Sequence, residues 1–310
     1  MAVTGVPVIN APCIPVDLAR ALPARDAVLV GVNNNGVRFL ADTAFPWCYP
    51  GGSPTGRPDA GDPADGAVIY DMSGNANGTL VEKAGVITYA GGGFDLTNSQ
   101  AVSSPNSSRN AGIVMPASVL ADIWAAYGGA SQRYLFSMWV KLPSLANWNP
   151  NAVVLTMAGD RQYVSAPSLF TLHQATGGQL QVRRQTAAGA FDSTNQLTLT
   201  PASADYGSVV HIGHFRWGTQ QGLRLRSPNG TITVLAGVGA DNTQDFSANE
   251  FCVGRAGAAF TGSTVTGVNT AFSGVRIYRA MMENLARSGR DPIAVLDLDY
   301  EATIARGLFS

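Results

Sequence analysis

Two groups of residues in this 310-residue chain have the types and spacing to do chemistry on their own account. In "YDMSGNANGTL", Asp71, Asn75 and Asn77 place hard oxygen donors at close intervals, the kind of ligand calcium takes. The loop has one carboxylate, which alone holds calcium weakly, and Asn and Gly also make turns for local reasons. The turn is therefore the preferred reading, with calcium as the candidate cofactor. "GADNTQDF", with Asp241 and Asp245, is a weaker second candidate. The histidines are His173, His211 and His214. His211 and His214 lie three apart in a strand pattern, so they face opposite sides and cannot share a metal. His211 reads as a sheet-face residue held by a hydrogen bond.

The elements around these groups are strands. "AVIYD", "GVITYA", "GFDLT", "YLFSMWVKL", "NAVVLTMAG", "SLFTLHQ", "GQLQVRRQT", "GSVVHIGHFRW", "GLRLRSP", "TITVLAG", "EFCVGRA" and "FSGVRIYRA" follow one another between turns. Gly177-Gly178 and Asn229-Gly230 are hairpin signals between such runs. Many short strands at close spacing predict an all-β sandwich or barrel. "YLFSMWVKL" suits a central strand, and "QLQVRRQT" a strand with one wet face. A helix is expected in "MPASVLADIWAAYGG". A second, over about 291–307, has Asp291 as N-cap and Pro292 at its first turn.

Three regions follow. Residues 1–50 read as an arm, apolar and Pro-interrupted, with a hairpin at Asn35-Gly36 between "AVLVGV" and "VRFLA". Residues 51–65 are a Pro/Gly-rich linker. Residues 66–310 form the main domain with its C-terminal helix.

Composition narrows the function classes. Hydrophobic residues make up 45% and charged residues 13%, about half the usual charged share, and net charge is −1. No basic field exists to hold phosphates, so nucleic acid is not an expected partner. Arg183-Arg184 and Arg224/Arg226 read as exposed strand edges. No apolar run is long enough to cross a membrane as a helix, and the first residues lack the basic start of a secretory leader. Synthesis in a cytoplasm without export by the general route is the expectation. Cys13, Cys48 and Cys252 suggest neither a disulfide framework nor zinc. Cys252 reads as a buried thiol, and whether Cys13 and Cys48 pair stays open.

In order and spacing, these pieces resemble the laminin-G-like branch of the concanavalin A-like lectin/glucanase superfamily. The resemblance rests on "YDMSGNANGTL", "GGGFDLTNSQAVSSP", "YLFSMWVKLPS" with Trp139-Val140-Lys141, "SVVHIGHFRW" with His211, and "EFCVGRAGAAF" followed by "FSGVRIYRAMMENL". It covers residues 66 to about 285. It implies a two-sheet antiparallel jelly-roll sandwich that binds glycans or proteins, of a kind found in tailed-phage virion proteins. A virion location follows, as tail fibre, tail-associated protein or capsid decoration. Its partners would be other virion proteins through the arm, a host glycan, and further copies of itself. Members of the superfamily that cut glycans use two carboxylates on one strand face. "DLDYE", with Asp297, Asp299 and Glu301, is the only loose match, and it falls in the expected C-terminal helix, where a solvated helix face is the preferred reading. The chain therefore reads as non-enzymatic, with a glycan depolymerase or a ligand-free structural subunit as alternatives. For glycan binding, the loop "LANWNPN" offers Trp148 for stacking, with Asn147, Asn149 and Asn151 beside it. A Trp capping the sandwich edge is the competing reading.

Overall fold

A computed structural model describes residues 26–31, 36–45, 47–49, 63–83, 85–98, 110–125, 132–148, 154–158, 168–187, 190–191, 196–238, 240–256, 274–307 and 309. Two antiparallel sheets face each other. The first holds β1 (Val37–Asp42), β4 (Thr88–Ala90), β5 (Gly93–Asp95), β7 (Tyr134–Lys141), β13 (Val209–Trp217), β14 (Gln220–Ser227), β15 (Gly230–Gly237) and β17 (Arg276–Asn284). Their order is β15-β14-β13-β7-β17-β5-β4, with β1 also on β17. The second holds β2 (Val68–Ile69), β3 (Gly78–Val81), β6 (Gly112–Met115), β8 (Val154–Ala158), β9 (Phe170–Gln174), β10 (Leu180–Ala187), β11 (Ala190–Phe191), β12 (Leu197–Leu199) and β16 (Phe251–Val253). Their order is β11-β10-β9-β8-β16-β6-β3-β2, with β12 also on β10. This is the all-β jelly-roll sandwich expected from the sequence.

Alternation decides what each strand buries. Phe136, Met138 and Val140 of β7 turn inward with Ile212 and Val210 of β13 to meet Phe170, Leu172 and Phe251 of the second sheet. The other face of β7 is also buried, so the strand is apolar throughout, as a central strand should be. His214 points inward. Its Nδ1 donates to the Gly222 carbonyl at 2.9 Å, so its Nε2 accepts from the Tyr134 hydroxyl at 3.1 Å. Burial holds this neutral ring at a pKa of about 3. His173 is driven to about 3 in the same way. His211, three residues from His214, faces the opposite side of the sheet, as expected.

That outer face is covered by α3 (Pro292–Ile304), capped by Asp291, whose side chain accepts from the Ala294 N–H. Val295 and Leu296 pack on Leu135, Phe215 and Met281, together with Val28 and Leu29 from a 3-10 turn at Ala27–Leu29. Gly213 lets the helix come this close, because a Cβ there would sit 2.4 Å from a Leu296 methyl. A shorter helix, α1 (Ser118–Ala125), buries Val119, Leu120 and Ile123, and a single helical turn, α2 (Leu285–Ser288), follows β17.

Five expectations change. Among the described residues, the stretch assigned to the arm is not separate: β1 pairs with β17 from Val37↔Glu283 to Asp42↔Arg279, and Phe39, Ala41, Cys48 and Tyr49 lie in the core. Among the described residues the first arm of the expected hairpin is not a strand: Ala27–Leu29 form a 3-10 turn, and β1 pairs with β17 instead. The face of β10 expected to be wet is largely covered: Gln181 and Gln185 are 8% and 2% exposed, with Arg183 half-buried between them. Arg184 donates to the Ala240 carbonyl, while Arg224 meets Asp297 at 2.6 Å, so neither is an exposed edge. Asp299, expected on a solvated helix face, is fully buried.

Asp299 belongs to the most heavily charged interior cluster. Arg279 of β17 donates through Nε to Asp299 at 2.8 Å, and through its terminal nitrogens to Asp26 at 2.8 and 3.0 Å and Asp42 at 3.2 Å. Ser137 and His211 reach the other Asp299 oxygen at 3.1 and 3.0 Å, and Arg306 meets Asp42 at 2.7 Å. Burial alone would raise the Asp299 carboxyl. The Arg279 charge and the His211 hydrogen bond overcome it and hold the group well below the usual carboxylate range.

Two outcomes follow. Gly213→Ala should unfold at lower urea, losing about 1–3 kcal/mol, with its β-sheet circular dichroism retained. Acid should destabilise the protein in two stages. The neutral histidines stabilise the fold above their unfolded pKa near ~6.5 and lose that contribution as pH falls from there toward about 3. The depressed Asp299 carboxyl contributes above ~4 and loses its share below that. Urea midpoints should therefore drop between about pH 7 and about pH 4, and less steeply in His214→Gln.

Candidate functional site

One end of the sandwich opens into a cleft of about 730 Å3. Its floor is a row across three neighbouring strands. Arg276 of β17 lies opposite Asp95 of β5 on one side and Lys141 of β7 on the other. Directly opposed residues share a face, so all three side chains point the same way. Arg276 binds Asp95 at 2.8 Å. Burial pushes the Asp95 carboxyl up, but hydrogen bonds from Thr97 and Arg276 hold it below its ordinary value. Lys141 has no carboxylate partner among the described residues.

The wall comes from the turn after β7. A 3-10 turn, Leu145–Asn147, ends at Trp148, whose N–H donates to the Leu145 carbonyl. Thr97, Asn98, Ser144 and Asn147 line the cleft with exposed polar side chains. Trp148 lines it too but is 9% exposed. Its Nε1 donates to the Ala175 carbonyl at 2.8 Å, and its ring meets Tyr206 edge-on at 5.4 Å. The Tyr206 hydroxyl in turn bonds the Gly178 carbonyl, where a Cβ would lie 2.6 Å from that hydroxyl. Trp148 thus braces the loop and closes the core, which leaves little of its face for stacking. Asn147 is an exposed cleft residue, whereas Asn149 and Asn151 lie outside the described residues, as does Cys13 and with it any Cys13–Cys48 bond.

The Asp71 loop is built as a turn. Asp71 accepts from the N–H groups of Leu40, Ser73 and Asn75 at 2.8, 2.9 and 2.7 Å, and from the Ser73 hydroxyl. Asn77 accepts from the Asp71 N–H, and Asn75 donates to the Val37 carbonyl at 2.8 Å. The Met72 N–H reaches the Leu40 carbonyl at 2.9 Å. These bonds fasten the loop along the outer side of β1. Asp71, Asn75 and Asn77 spend their polar atoms on the protein, so the arrangement does not suit a cation. Asp241 is held by Arg216 at 2.8 Å, and Asp245 caps its own turn at Ser247. No cluster of three or more His, Cys, Asp or Glu suited to a metal occurs among the described residues.

Each carboxylate of "DLDYE" is engaged by an arginine. Asp297 binds Arg224 and Arg226 at 2.6 and 2.7 Å, Glu301 binds Arg226, and Asp299 binds Arg279. Two features were not readable in advance. The Asp95–Arg276–Lys141 row needs the strand order, and the Arg279 cluster joins residues scattered along the whole chain. Cys252 and Cys48 are fully buried. No helix of the described residues is long and apolar enough to cross a membrane.

No protein-family model matches the chain, and no curated protein matches it. Solved structures give distant matches. A Trypanosoma rangeli sialidase with 2,3-difluorosialic acid aligns at TM-score 0.48 and 15% identity, over 86% of this chain and 33% of that one. Domain 4 of AbnA, a GH43 extracellular arabinanase from Geobacillus stearothermophilus in complex with arabinotriose, aligns at 0.45 and 14%, over 85% and 99%. Sheep galectin-11 aligns at 0.30 and 9%, over 48% and 89%. The chain spans about a third of the length of the sialidase chains it matches. Its class therefore rests on its own sheet order: a two-sheet antiparallel sandwich with a polar cleft at one end.

The Asp71 loop makes a direct test. Calcium at millimolar concentration should leave the melting temperature unchanged, and Asp71→Ala should cost about 1–3 kcal/mol by leaving the N–H of buried Leu40 unpaired.

Proposed function

We propose that this chain is a non-enzymatic, lectin-like protein of a phage virion that binds a host surface glycan in the end cleft. The observation that carries the reading is the Asp95–Arg276–Lys141 row beneath exposed Thr97, Asn98 and Asn147. Donors and acceptors converge there on a space large enough for a short oligosaccharide, and hydroxyl groups need that mixture. The virion setting rests on the laminin-G-like order of the strand motifs and on a chain poor in charge. In this reading the first 25 residues, apolar and Pro-interrupted, anchor the sandwich to another virion protein.

The absence of catalysis is part of the proposal. Glycoside hydrolysis needs two carboxylates flanking one bond. Among the described residues of the cleft only Asp95 has one, and Arg276 and Thr97 engage it.

A glycan array probed with the whole chain should give binding to a limited set of structures. Calorimetry on the best of these should show affinity falling about tenfold or more in Lys141→Ala and Asn147→Ala, roughly the loss of one charged or two neutral hydrogen bonds. The protein should also be found in purified particles. Release of reducing ends from the bound glycan would instead make it an enzyme. Incorporation into particles with a silent array would leave a structural subunit.

A further inference from the structure

A sheet has two edges, and each is a row of unpaired backbone groups able to accept another strand. Natural sandwiches blunt such edges by keeping them short or covering them. Most edges here follow that rule. β4 is three residues long, and β2 and β11 are two each. The free side of β1 is covered by the Asp71 loop, through bonds to the Leu40 N–H, the Leu40 carbonyl and the Val37 carbonyl.

β15 breaks the rule. It is eight residues long and pairs with β14 in unbroken register from Ser227↔Gly230 to Gln220↔Gly237. No strand pairs with its other side among the described residues. It has no bulge to twist the edge away, no proline, and no charged residue anywhere in 228–240. Ile232, Val234 and Ala236 pack on the core, while Thr231, Thr233 and Leu235 are exposed on the other face, Leu235 by 53%. In a β-strand of this length, alternate residues direct both N–H and C=O away from β14.

We propose that two copies of this chain join edge to edge through β15, antiparallel, so that the first sheet runs continuously through the pair. The strand suits its own copy. Pairing about Thr233 sets Thr233 against Thr233, Thr231 against Leu235, and Ile232 against Val234. Opposed residues then share a face, so the two cores stay on the same side of the joined sheet, as a two-fold axis perpendicular to it requires. No like charges meet, because the strand carries none.

Light scattering on the full chain at tens of micromolar should give twice the chain mass. Thr233→Lys sets two like charges directly across the axis, and Leu235→Lys replaces the exposed leucine opposite Thr231 with a charged edge residue; each should give the single-chain mass. Their circular dichroism and melting should match the wild type, since both positions are exposed. Mixing Thr233→Lys with Thr233→Glu should recover the doubled mass, an outcome that loss of folding could not produce. A wild-type chain that stays single up to hundreds of micromolar overturns the proposal. So does any assembly, of two copies or more, that persists unchanged in the lysine variants.

Discussion

Arg279 lies mid-strand on β17 with its guanidinium fully buried, and the rest of the molecule is arranged around it. A cation there is tenable only if carboxylates meet it at hydrogen-bond distance, because desolvation of an unpaired charge outweighs any single contact. The three that do come from the segment before the first 3-10 turn, from the end of β1, and from the C-terminal helix. One side chain thereby ties the beginning and the end of the described chain to its central sheet. Asp299 shows the reciprocal constraint. It is buried with Ser137, His211 and Arg279 around it, and it keeps α3 on the sheet in a fixed register. Leu296 over Gly213 and Arg226 over the Tyr300 ring, 4.0 Å from its centre, complete that contact.

This covering decides what remains open. With α3 and the 3-10 turn packed on it, much of the outer face is covered, and Arg224 and Arg226 there are held by Asp297 and Glu301. The exposed polar groups that converge do so at the end of the sandwich, where β5, β7 and β17 stop. There the cleft is held open by packing: Trp148 and Tyr206 brace the wall, and Arg276 clamps β5. A rigid site of this kind suits recognition of a preformed ligand, since little ordering is needed on binding.

Much of the architecture was legible because it depends on local rules. Each of the twelve strand patterns read from the sequence is a strand. The Asp291-Pro292 start of the last helix is where the cap and first turn lie. His211 and His214 separate to opposite faces because alternation has a period of two. The Asp71 turn follows from Asn and Gly preferences, although its role along the side of β1 does not. The misreadings share one cause. Charge and polarity suggest exposure, so "DLDYE", Arg184 and Arg224 looked solvated, and Trp148 in an Asn-rich loop looked free. Asp299, Arg184, Arg224 and Trp148 are buried by partners far away in sequence, while Asp297 and Glu301 stay near the surface, held by Arg224 and Arg226.

The division between sequence and tertiary structure is a division of range. Composition, period-two alternation, turn residues and caps act over a few residues, and they determined by themselves that this chain is an all-β sandwich or barrel with a C-terminal helix; the two-sheet antiparallel sandwich followed from the resemblance. Which residues meet across the sheets depends on strand order, and that is settled only when the whole core is buried at once. Tertiary structure alone therefore decided that Arg279 would gather Asp26, Asp42 and Asp299, that residues 26–31, 36–45 and 47–49 would belong to the sandwich, and that Asp95, Arg276 and Lys141 would stand side by side in the cleft.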